Sequence, residues 1–426
     1  MKRVALLALL TIGTAAEAQE PAGLHDVLSR LAKEGRFSGA VVIRDQKGVR
    51  FARGYGMADP FVGRAFTPDT PVDSGSLAKP VTAAAVLQLV HDGKLDLDAP
   101  VRRYLAEFPY EPVTVSHLLA HSAGLPEESI ESITGKTNRD FIVEMGARKL
   151  DPAFPAGSAF TYCNLCYSTL ALLIERVGGQ SYLDFVHRRV GLPSSVTLRP
   201  ARLPDWKGRA IGYRRGSDGK PERADSYENE LFYGTANFSL SAADLAKWGS
   251  EWWDSQLASI RAVATTTATI AGKPSGLSWG NWYCAPSGRR CHYLGHHEGF
   301  HHMLYWNGDR RISVSMVSNN SMAPSMHQSL QRALVAFAEG RKPAALEPEL
   351  ALREAEAATY RTAAEELELR AEGRRRWLVR RGLAYPAYPV GGGVRYVPGL
   401  DLYFSADQGA CLRMVTLYED LRACRS

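Results

Sequence analysis

The 426-residue chain has few of the features that would assign it to a class at first reading. It shows no internal repeat, which argues against solenoid and propeller architectures. Its apolar runs fall short of the roughly 20 residues that a membrane-spanning helix needs. The net charge is only +6, and the densest basic run, at residues 374–381, alternates with apolar residues as a solvated strand does. The sequence therefore predicts neither a membrane span nor a nucleic-acid partner.

Residues 1–18 have the pattern of a leader and not of a folded domain. Lys2 and Arg3 precede a short apolar run, and Ala16 and Ala18 then form a small-x-small cleavage pattern. This order is typical of a secretory signal peptide, and the run is too short to span a bilayer. We therefore expect an exported protein, in the periplasm or outside the cell.

The chain contains only six cysteines, and an exported chain normally uses them in disulfides. One bridge is expected across residues 284–291, which enclose a predicted turn, and another across residues 411–424, which join two strand-like runs. The remaining pair stays open. Cys163 and Cys166 fit a bridge, a redox couple or two reduced thiols at the start of a helix.

Predicted strands lie near both ends of the main part of the chain. Two strand-like runs within residues 39–54 come before a series of predicted helices, and further runs fill residues 279–317. This order predicts one antiparallel sheet assembled from both ends, flanked by helices and carrying a helical subdomain. Near residue 341 the pattern changes to short alternating runs. We expect an α+β fold with a main domain at residues 24–340 and a small β-rich domain at residues 345–426.

The tetrad Ser76-Leu77-Ala78-Lys79 lies where an extended run meets an apolar helical run. A lysine three positions after a serine shares its helix face and can take up the hydroxyl proton, which turns the serine into a nucleophile. Pro80 follows at once and places the tetrad in the first turn of a helix. The plain alternative is a capping serine followed by a surface lysine.

A Ser–Lys pair also needs a second proton-handling group and an amide that holds the substrate. Tyr162-Cys163-Asn164 offers a phenol and an amide at the entry to a predicted helix. The same spacing occurs at residues 227–229 and 305–307. We favour Tyr162, because the first rival lies in a polar stretch and the second in a predicted strand.

The third element is His297-Glu298-Gly299 on an apparent strand. Gly299 would let a substrate lie against the strand edge, and the Phe300 N–H would face Ser76 as an oxyanion donor.

In their order and residue patterns these segments resemble the serine β-lactamase and penicillin-binding-protein family. The resemblance is to the class C-like branch, which includes esterases and D-amino-acid peptidases. The resemblance runs from about residue 37 to residue 340 and also includes residues 93–98, 115–125 and 241–248. The Gly-rich stretch common in the family is replaced here by residues 234–237. The resemblance implies a β-lactamase/transpeptidase-like fold, with the tail beyond residue 341 similar to the small β extensions of some relatives.

The resemblance also implies roles for the candidate residues. Ser76 would be the nucleophile, Lys79 its base or proton shuttle, and Tyr162 the proton donor to the leaving group. Asn164 and His297 would hold the substrate, and the N–H groups of Ser76 and Phe300 would form the oxyanion hole beside Gly299. The expected activity is that of an exported serine acyl hydrolase that forms an acyl-enzyme on Ser76. Its substrate would be a small ester, a peptide with a D-residue or a β-lactam-like amide.

Two other functions compete with this one. The first is a binding protein that kept the fold as an envelope sensor and lost turnover. The second is a zinc protease, because residues 297–301 match His-Glu-x-x-His and three more histidines, His292, His296 and His302, lie close by. That motif requires a helix, whereas Gly295 and Gly299 favour strands. We therefore expect no metal or other cofactor, and at most incidental metal affinity of the cluster.

Residues 276–280 match the Gly-x-Ser-x-Gly pattern of a nucleophile elbow. That pattern requires a helix after the serine, and a strand-like run follows instead. Ser278 is therefore a weak rival to Ser76.

Overall fold

The computed structural model describes residues 21–425 except 131, 226–229, 253–254, 323, 345, 347–354, 363–364, 374, 392, 407–410 and 418–419. The signal peptide predicted at residues 1–18 lies outside the described residues. Within the described ranges, no helix combines the length and the hydropathy needed to cross a membrane.

Nine α-helices occur in the described part of the chain. They are α1 (Leu24–Lys33), α2 (Ala78–His91), α3 (Val115–Leu119), α4 (Asn138–Ala147), α5 (Asn164–Gly178), α6 (Tyr182–Val190), α7 (Ala242–Glu251), α8 (Ser255–Thr265) and α9 (Pro324–Ala338). A 3-10 turn, Gly75–Leu77, leads directly into α2.

The strands fall into an N-terminal and a C-terminal group. The first group is β1 (Gly39–Asp45), β2 (Gly48–Tyr55), β3 (Met57–Asp59), β4 (Arg64–Ala65), β5 (Val72–Asp73), β6 (Thr197–Leu198), β7 (Tyr213–Arg215), β8 (Pro221–Arg223), β9 (Phe238–Leu240), β10 (Thr267–Ile270), β11 (Lys273–Ser278), β12 (Tyr283–Cys284), β13 (Arg290–His297), β14 (Phe300–Asn307) and β15 (Ile312–Ser318). The second group is β16 (Ala358–Arg361), β17 (Glu366–Glu372), β18 (Arg375–Arg380), β19 (Leu383–Pro386), β20 (Tyr388–Gly391), β21 (Val394–Val397), β22 (Leu402–Ala406), β23 (Cys411–Val415) and β24 (Asp420–Arg425).

The central sheet has six antiparallel strands in the order β12-β13-β14-β15-β1-β2. Strand β1 pairs with β15, so that Gly39 lies opposite Ser318. This pairing confirms the predicted antiparallel sheet assembled from both ends of the main segment.

Each face of the central sheet packs on a separate group of helices. Side chains alternate along β1, because successive residues of a strand point to opposite faces. Val41 and Ile43 join the apolar core that contains α1 and α9. Ala40 and Val42 join the larger core that contains α2, α5 and α7. This larger core includes side chains from the 3-10 turn and from the start of α5.

The C-terminal strands β16–β24 form a second antiparallel sheet of nine strands, which confirms the predicted C-terminal β domain. Its apolar side chains are continuous with the larger core. The ring of Tyr385 lies 5.2 Å from that of Phe160, between centroids. The exact division of the chain near residues 340–345 stays a prediction.

Three disulfides are present, and the described residues include no free cysteine. The two expected bridges, across residues 284–291 and 411–424, are both formed. Cys163 and Cys166, whose state the sequence left open, also form a disulfide. Cys163 directly precedes α5, and Cys166 lies in its first turn.

Regular secondary structure breaks at two positions near the site. Of the strand-like runs predicted at residues 279–317, the first forms a strand only at β12, and α3 ends at Leu119. Both breaks occur at a non-glycine residue with positive φ, 60° at Asn281 and 57° at His121. Their side chains meet, with Nε2 and Oδ1 3.1 Å apart. This long-range contact overrides the local preference for regular structure.

Four tryptophans pack together between α7 and the central sheet. Trp248, Trp252, Trp282 and Trp306 are each at most 2% exposed. The Trp252 ring stacks on Trp306 at 5.9 Å and meets Trp282 edge-on at 5.4 Å. Aromatic pairs in such geometries contribute about 0.5–1.5 kcal/mol beyond simple burial. The cluster therefore anchors α7 to the sheet.

Replacing Trp252 by Ala should lower the free energy of unfolding by about 3–5 kcal/mol, because a cavity replaces a buried indole. Chemical denaturation followed by tryptophan fluorescence and circular dichroism measures this loss. Phe61→Ala is the control, since Phe61 is 50% exposed and its removal should change stability by at most about 0.5 kcal/mol. Equal losses in the two variants would contradict a structural role of the cluster.

Candidate active site

Ser76 lies in the 3-10 turn that leads into α2. Asp73 Oδ1 accepts a 2.8 Å hydrogen bond from the Gly75 N–H, which holds this turn in place. Strand β13 lies directly against the turn, because a Cβ on Gly75 would stand 2.7 Å from the carbonyl oxygen of His296. Gly75 also has a φ of 47°. Glycine is therefore required for the close approach of β13 to the half-buried Ser76.

Lys79 is fully buried, and three oxygen atoms surround its Nζ. It donates to Ser76 Oγ at 3.1 Å, to Asn164 Oδ1 at 2.9 Å and to the carbonyl oxygen of Thr235 at 3.1 Å. A buried amine without such acceptors would be strongly destabilising. The three contacts hold Nζ next to the serine hydroxyl.

Tyr162 approaches Ser76 from the other side. Its hydroxyl donates to Ser76 Oγ at 2.8 Å and lies 3.3 Å from the hydroxyl of Tyr293. Lys79 Nζ lies 4.7 Å from the centre of the Tyr162 ring. The serine oxygen therefore has an amine and a phenol as direct neighbours, and both groups can carry protons in catalysis.

The ring of His121 packs against the ring of Tyr162. No sequence motif indicates this contact. The two rings stack with centroids 4.9 Å apart and planes at 15°. The Cys163 N–H donates to His121 Nδ1 at 3.0 Å, so the ring proton is on Nε2 and faces Asn281 Oδ1. Burial, followed by the charge of Lys79, lowers the pKa of His121 to about 3. The imidazole is therefore neutral and acts as a fixed support.

Glu127 holds the side chain of Asn164 in one orientation. No motif in the sequence indicates this role either. Its carboxylate accepts from Asn164 Nδ2 at 2.7 Å and from the backbone N–H groups of Asn164 and Leu165 at 2.6 and 3.1 Å. Asn164 Oδ1 then faces Lys79 Nζ and the Thr235 hydroxyl, 2.9 Å from each. Burial raises the pKa of Glu127 above its ordinary value, against the opposing effect of these hydrogen bonds and of Lys79.

Residues 234–237, where the chain departs from the family's Gly-rich stretch, carry the third acceptor of Lys79. Thr82 Oγ1, one turn after Lys79 on α2, donates to the Gly234 carbonyl at 2.6 Å. This bond fixes the loop, so that the Thr235 carbonyl reaches Nζ.

His297 ends strand β13 and pairs with Asp73. Its Nδ1 lies 3.5 Å from one Asp73 oxygen, and Arg199 Nε lies 2.7 Å from the other. Burial works against both charges, but the attraction between them raises the pKa of His297 and lowers that of Asp73. His297 is thereby connected, through Asp73, to the turn that carries Ser76.

One cavity of about 460 Å³ contains the reactive groups. The cavity is lined by Ser76, Tyr162, Asn164 and His297. Lys79 is connected to it by the hydrogen bond from Nζ to Ser76 Oγ. Much of the remaining wall is apolar and comprises Ile130, Ile133, Phe141, Leu165 and Phe232, with Tyr396 and Pro398 from the C-terminal sheet. The structure thus brings together five of the seven predicted site residues.

Gly299 and Phe300 are not among the residues that line the cavity. Gly299 forms the turn between β13 and β14 with a φ of 78° and packs on the backbone of Gly212. The side chain of Phe300 is fully buried. The Ser76 turn lies against β13 at His296 and not at Phe300. The oxyanion role expected of the Phe300 N–H therefore stays a prediction.

The His-Glu-x-x-His segment has the wrong geometry for a zinc protease. Its residues occupy the end of β13, a turn and the start of β14. His297 and His301 are therefore on different strands, whereas the protease motif needs both histidines on one helical face.

The other rival residues have structural explanations. Ser278 is buried, and its hydroxyl accepts from the Trp282 N–H at 3.0 Å. Tyr305 is a strand residue that donates to Glu339 at 2.6 Å. The third rival, at residues 227–229, lies outside the described residues.

Comparison with known proteins supports the resemblance. The β-lactamase family model matches residues 24–339. Esterase EstB from Burkholderia gladioli is 34% identical over 228 residues, which are 47% of this chain and 56% of that protein. Penicillin-binding protein 4* from Bacillus subtilis (strain 168) is 28% identical over 204 residues, 45% of each chain. The chain therefore spans about half the length of these two relatives.

The likeness to solved structures covers more of the molecule. The octameric penicillin-binding protein homologue from Pyrococcus abyssi aligns with a TM-score of 0.63 at 21% identity, over 94% of this chain and 98% of that one. This alignment concerns the fold and extends into the C-terminal sheet. Because the family model matches most of its length, the chain belongs to the β-lactamase family.

Proposed function

We propose that the protein is a serine acyl hydrolase that works through an acyl-enzyme on Ser76. One observation carries this proposal: Ser76 Oγ lies 3.1 Å from Lys79 Nζ and 2.8 Å from Tyr162 OH at a cavity. Few structural roles require an amine and a phenol on one serine oxygen, whereas nucleophilic catalysis requires such groups.

In the first step the Lys79–Tyr162 pair would lack one proton. Ser76 Oγ forms a bond to the substrate carbonyl carbon, and the proton of Ser76 passes to this pair. The bond to the leaving group then breaks as Tyr162 protonates the departing oxygen or nitrogen. In the second step, water adds to the acyl carbon and gives a proton to the same pair. The bond between the acyl carbon and Ser76 Oγ then breaks, the pair returns the proton to Oγ, and the acid product leaves. The N–H of Ser76, at the start of α2, is one proposed oxyanion donor, and the second would come from Phe300 or the edge of β13.

The cavity suits a small substrate with an apolar acyl group. Its volume of about 460 Å³ lies in the range of small-molecule sites. The apolar wall would bind the acyl side, Asn164 and the positive charge at His297 would hold polar groups, and Tyr396 would limit length. The relatives include an esterase and a penicillin-binding protein, which supports an ester or a D-residue or β-lactam-like amide as the substrate. We propose a small-molecule or peptide substrate, with no nucleic-acid partner and no membrane span.

The alternative is a sensor that is acylated but does not turn over. Glu127 argues for turnover, because it keeps the amide of Asn164 directed at Lys79. Export is proposed from the predicted signal peptide together with three disulfides, which form in oxidising compartments.

Replacing Ser76 by Ala should lower kcat by at least about 10³-fold, because the acyl acceptor is lost. The same variant should lose covalent labelling by a fluorophosphonate or penicillin probe. A panel of chromogenic esters, D-aminoacyl amides and a cephalosporin, assayed on wild type and variant, measures both effects and identifies the substrate class.

Ser278→Ala is the matched control and should keep activity and labelling. Retained turnover in the Ser76 variant would overturn the proposal. A stoichiometric burst without subsequent turnover in the wild type, on every substrate, would favour the sensor.

Glu127 is proposed to be a positioning residue for Asn164. An ionised carboxylate only accepts hydrogen bonds, so it selects the Asn164 rotamer with Nδ2 towards it. A glutamine would present an NH₂ group to Asn164 Nδ2, and the amide would turn to relieve the clash between donors. Asn164 would then direct Nδ2 at Lys79 instead of Oδ1.

Glu127→Gln should therefore lower kcat by about 10- to 100-fold. In the wild type, kcat should fall as pH decreases through the raised pKa of Glu127, because the protonated carboxyl becomes a donor. The variant should lack this acidic limb. The surface change Glu107→Gln is the control, and a variant that keeps the wild-type pH profile would show that Glu127 does not act through its charge.

A further inference from the structure

Three histidines outside the catalytic set converge at the edge of the cavity. His296 on β13 is the cross-strand partner of His301 on β14, and His327 on α9 packs on both. The three ring centroids lie 5.0–5.3 Å apart. One nitrogen of each ring lies within 4.8 Å of a nitrogen of each of the other two.

The neighbouring histidines are committed to other bonds. His302 accepts from the Ser318 N–H at 3.3 Å and donates to the Asp73 carbonyl at 2.7 Å. His292 Nε2 lies 2.5 Å from Asp401. These contacts use the histidines as structural links and exclude them from the group of three.

His301 Nδ1, by contrast, is buried and has no hydrogen-bond partner among the described residues. A buried nitrogen without a partner is unfavourable, because it has lost its hydrogen bond to water and gained none in the protein. The hydrogen-bond contact of His327 within the described ranges is with the side-chain amide nitrogen of Gln331, 3.1 and 3.3 Å from the two ring nitrogens.

We propose that His296, His301 and His327 bind one divalent transition-metal ion of the zinc class. Imidazole nitrogens suit zinc, nickel, cobalt and copper, and the group has no carboxylate for calcium or magnesium. Nitrogens around tetrahedral zinc lie about 3.4 Å apart, as follows from Zn–N bonds of about 2.0–2.1 Å. Small side-chain rotations would therefore close the site. Burial lowers the pKa of all three rings, which favours the neutral form that binds metal.

This site revises the expectation of no metal and does not depend on the proposed hydrolase activity. It shares His301 with the His-Glu-x-x-His segment but does not use His297. An ion there would tie the β13–β14 hairpin to α9. Because the His296 backbone lies against the Ser76 turn, the ion would also stiffen one wall of the cavity.

Tag-free, chelator-treated protein should bind Zn²⁺ with 1:1 stoichiometry in isothermal titration calorimetry and gain thermal stability from it. Co²⁺ should give the intense visible spectrum of a tetrahedral nitrogen site. His301→Phe and His327→Phe, which keep an aromatic ring, should weaken the Zn²⁺ affinity by about 100-fold or more. His91→Phe, an exposed histidine at the end of α2, is the control and should bind as the wild type does.

Covalent labelling of Ser76, or circular dichroism if no probe labels the wild type, reports whether each variant is folded. A folded His301 variant that no longer binds Zn²⁺ supports the site. Wild-type affinity weaker than the millimolar range, or unchanged affinity in folded variants, would overturn it. If neither variant folds, the wild-type Co²⁺ spectrum decides, because a pale octahedral spectrum would indicate surface binding only.

Discussion

The burial of the Lys79 amine is the constraint on which the rest of the site depends. Each oxygen around Nζ comes from a different element: Ser76 from the turn before α2, Asn164 from the start of α5 and Thr235 from the loop before β9. An amine removed from water without these acceptors would be strongly unfavourable. The folded state therefore has to assemble the three elements around Lys79, and this assembly creates the reactive arrangement.

A second group of side chains holds the residues around Ser76 and Lys79 in place. Glu127 orients Asn164, His121 supports Tyr162, and Asp73 connects the Ser76 turn to His297. These groups are satisfied in low-dielectric surroundings, where hydrogen bonds are strong and a missing partner is costly. The geometry at Ser76 is therefore held before a substrate arrives, which reduces the reorganisation needed for reaction.

The C-terminal sheet contributes to the cavity as well as to the core. Tyr396 and Pro398 close one side of it, and the Tyr283 hydroxyl donates to the Pro398 carbonyl. Under the proposed function, selectivity would therefore depend in part on a sheet that carries none of the proposed catalytic residues. The same architecture, with a different final sheet, would present the same serine to a differently shaped substrate.

Local patterns in the sequence were enough to predict the main elements and to indicate most of the candidate residues. Pro80 sets the start of a helix, the Ser-x-x-Lys spacing places an amine beside a hydroxyl, and the order of strands predicts the antiparallel sheet. The contacts of Glu127 and His121 became visible in the folded structure alone, because their partners lie tens of residues away and leave no periodic or spacing signal. The folded structure also removed Gly299 and Phe300 from the cavity lining, since a tight hairpin turn, which spacing cannot reveal, determines where β13 ends.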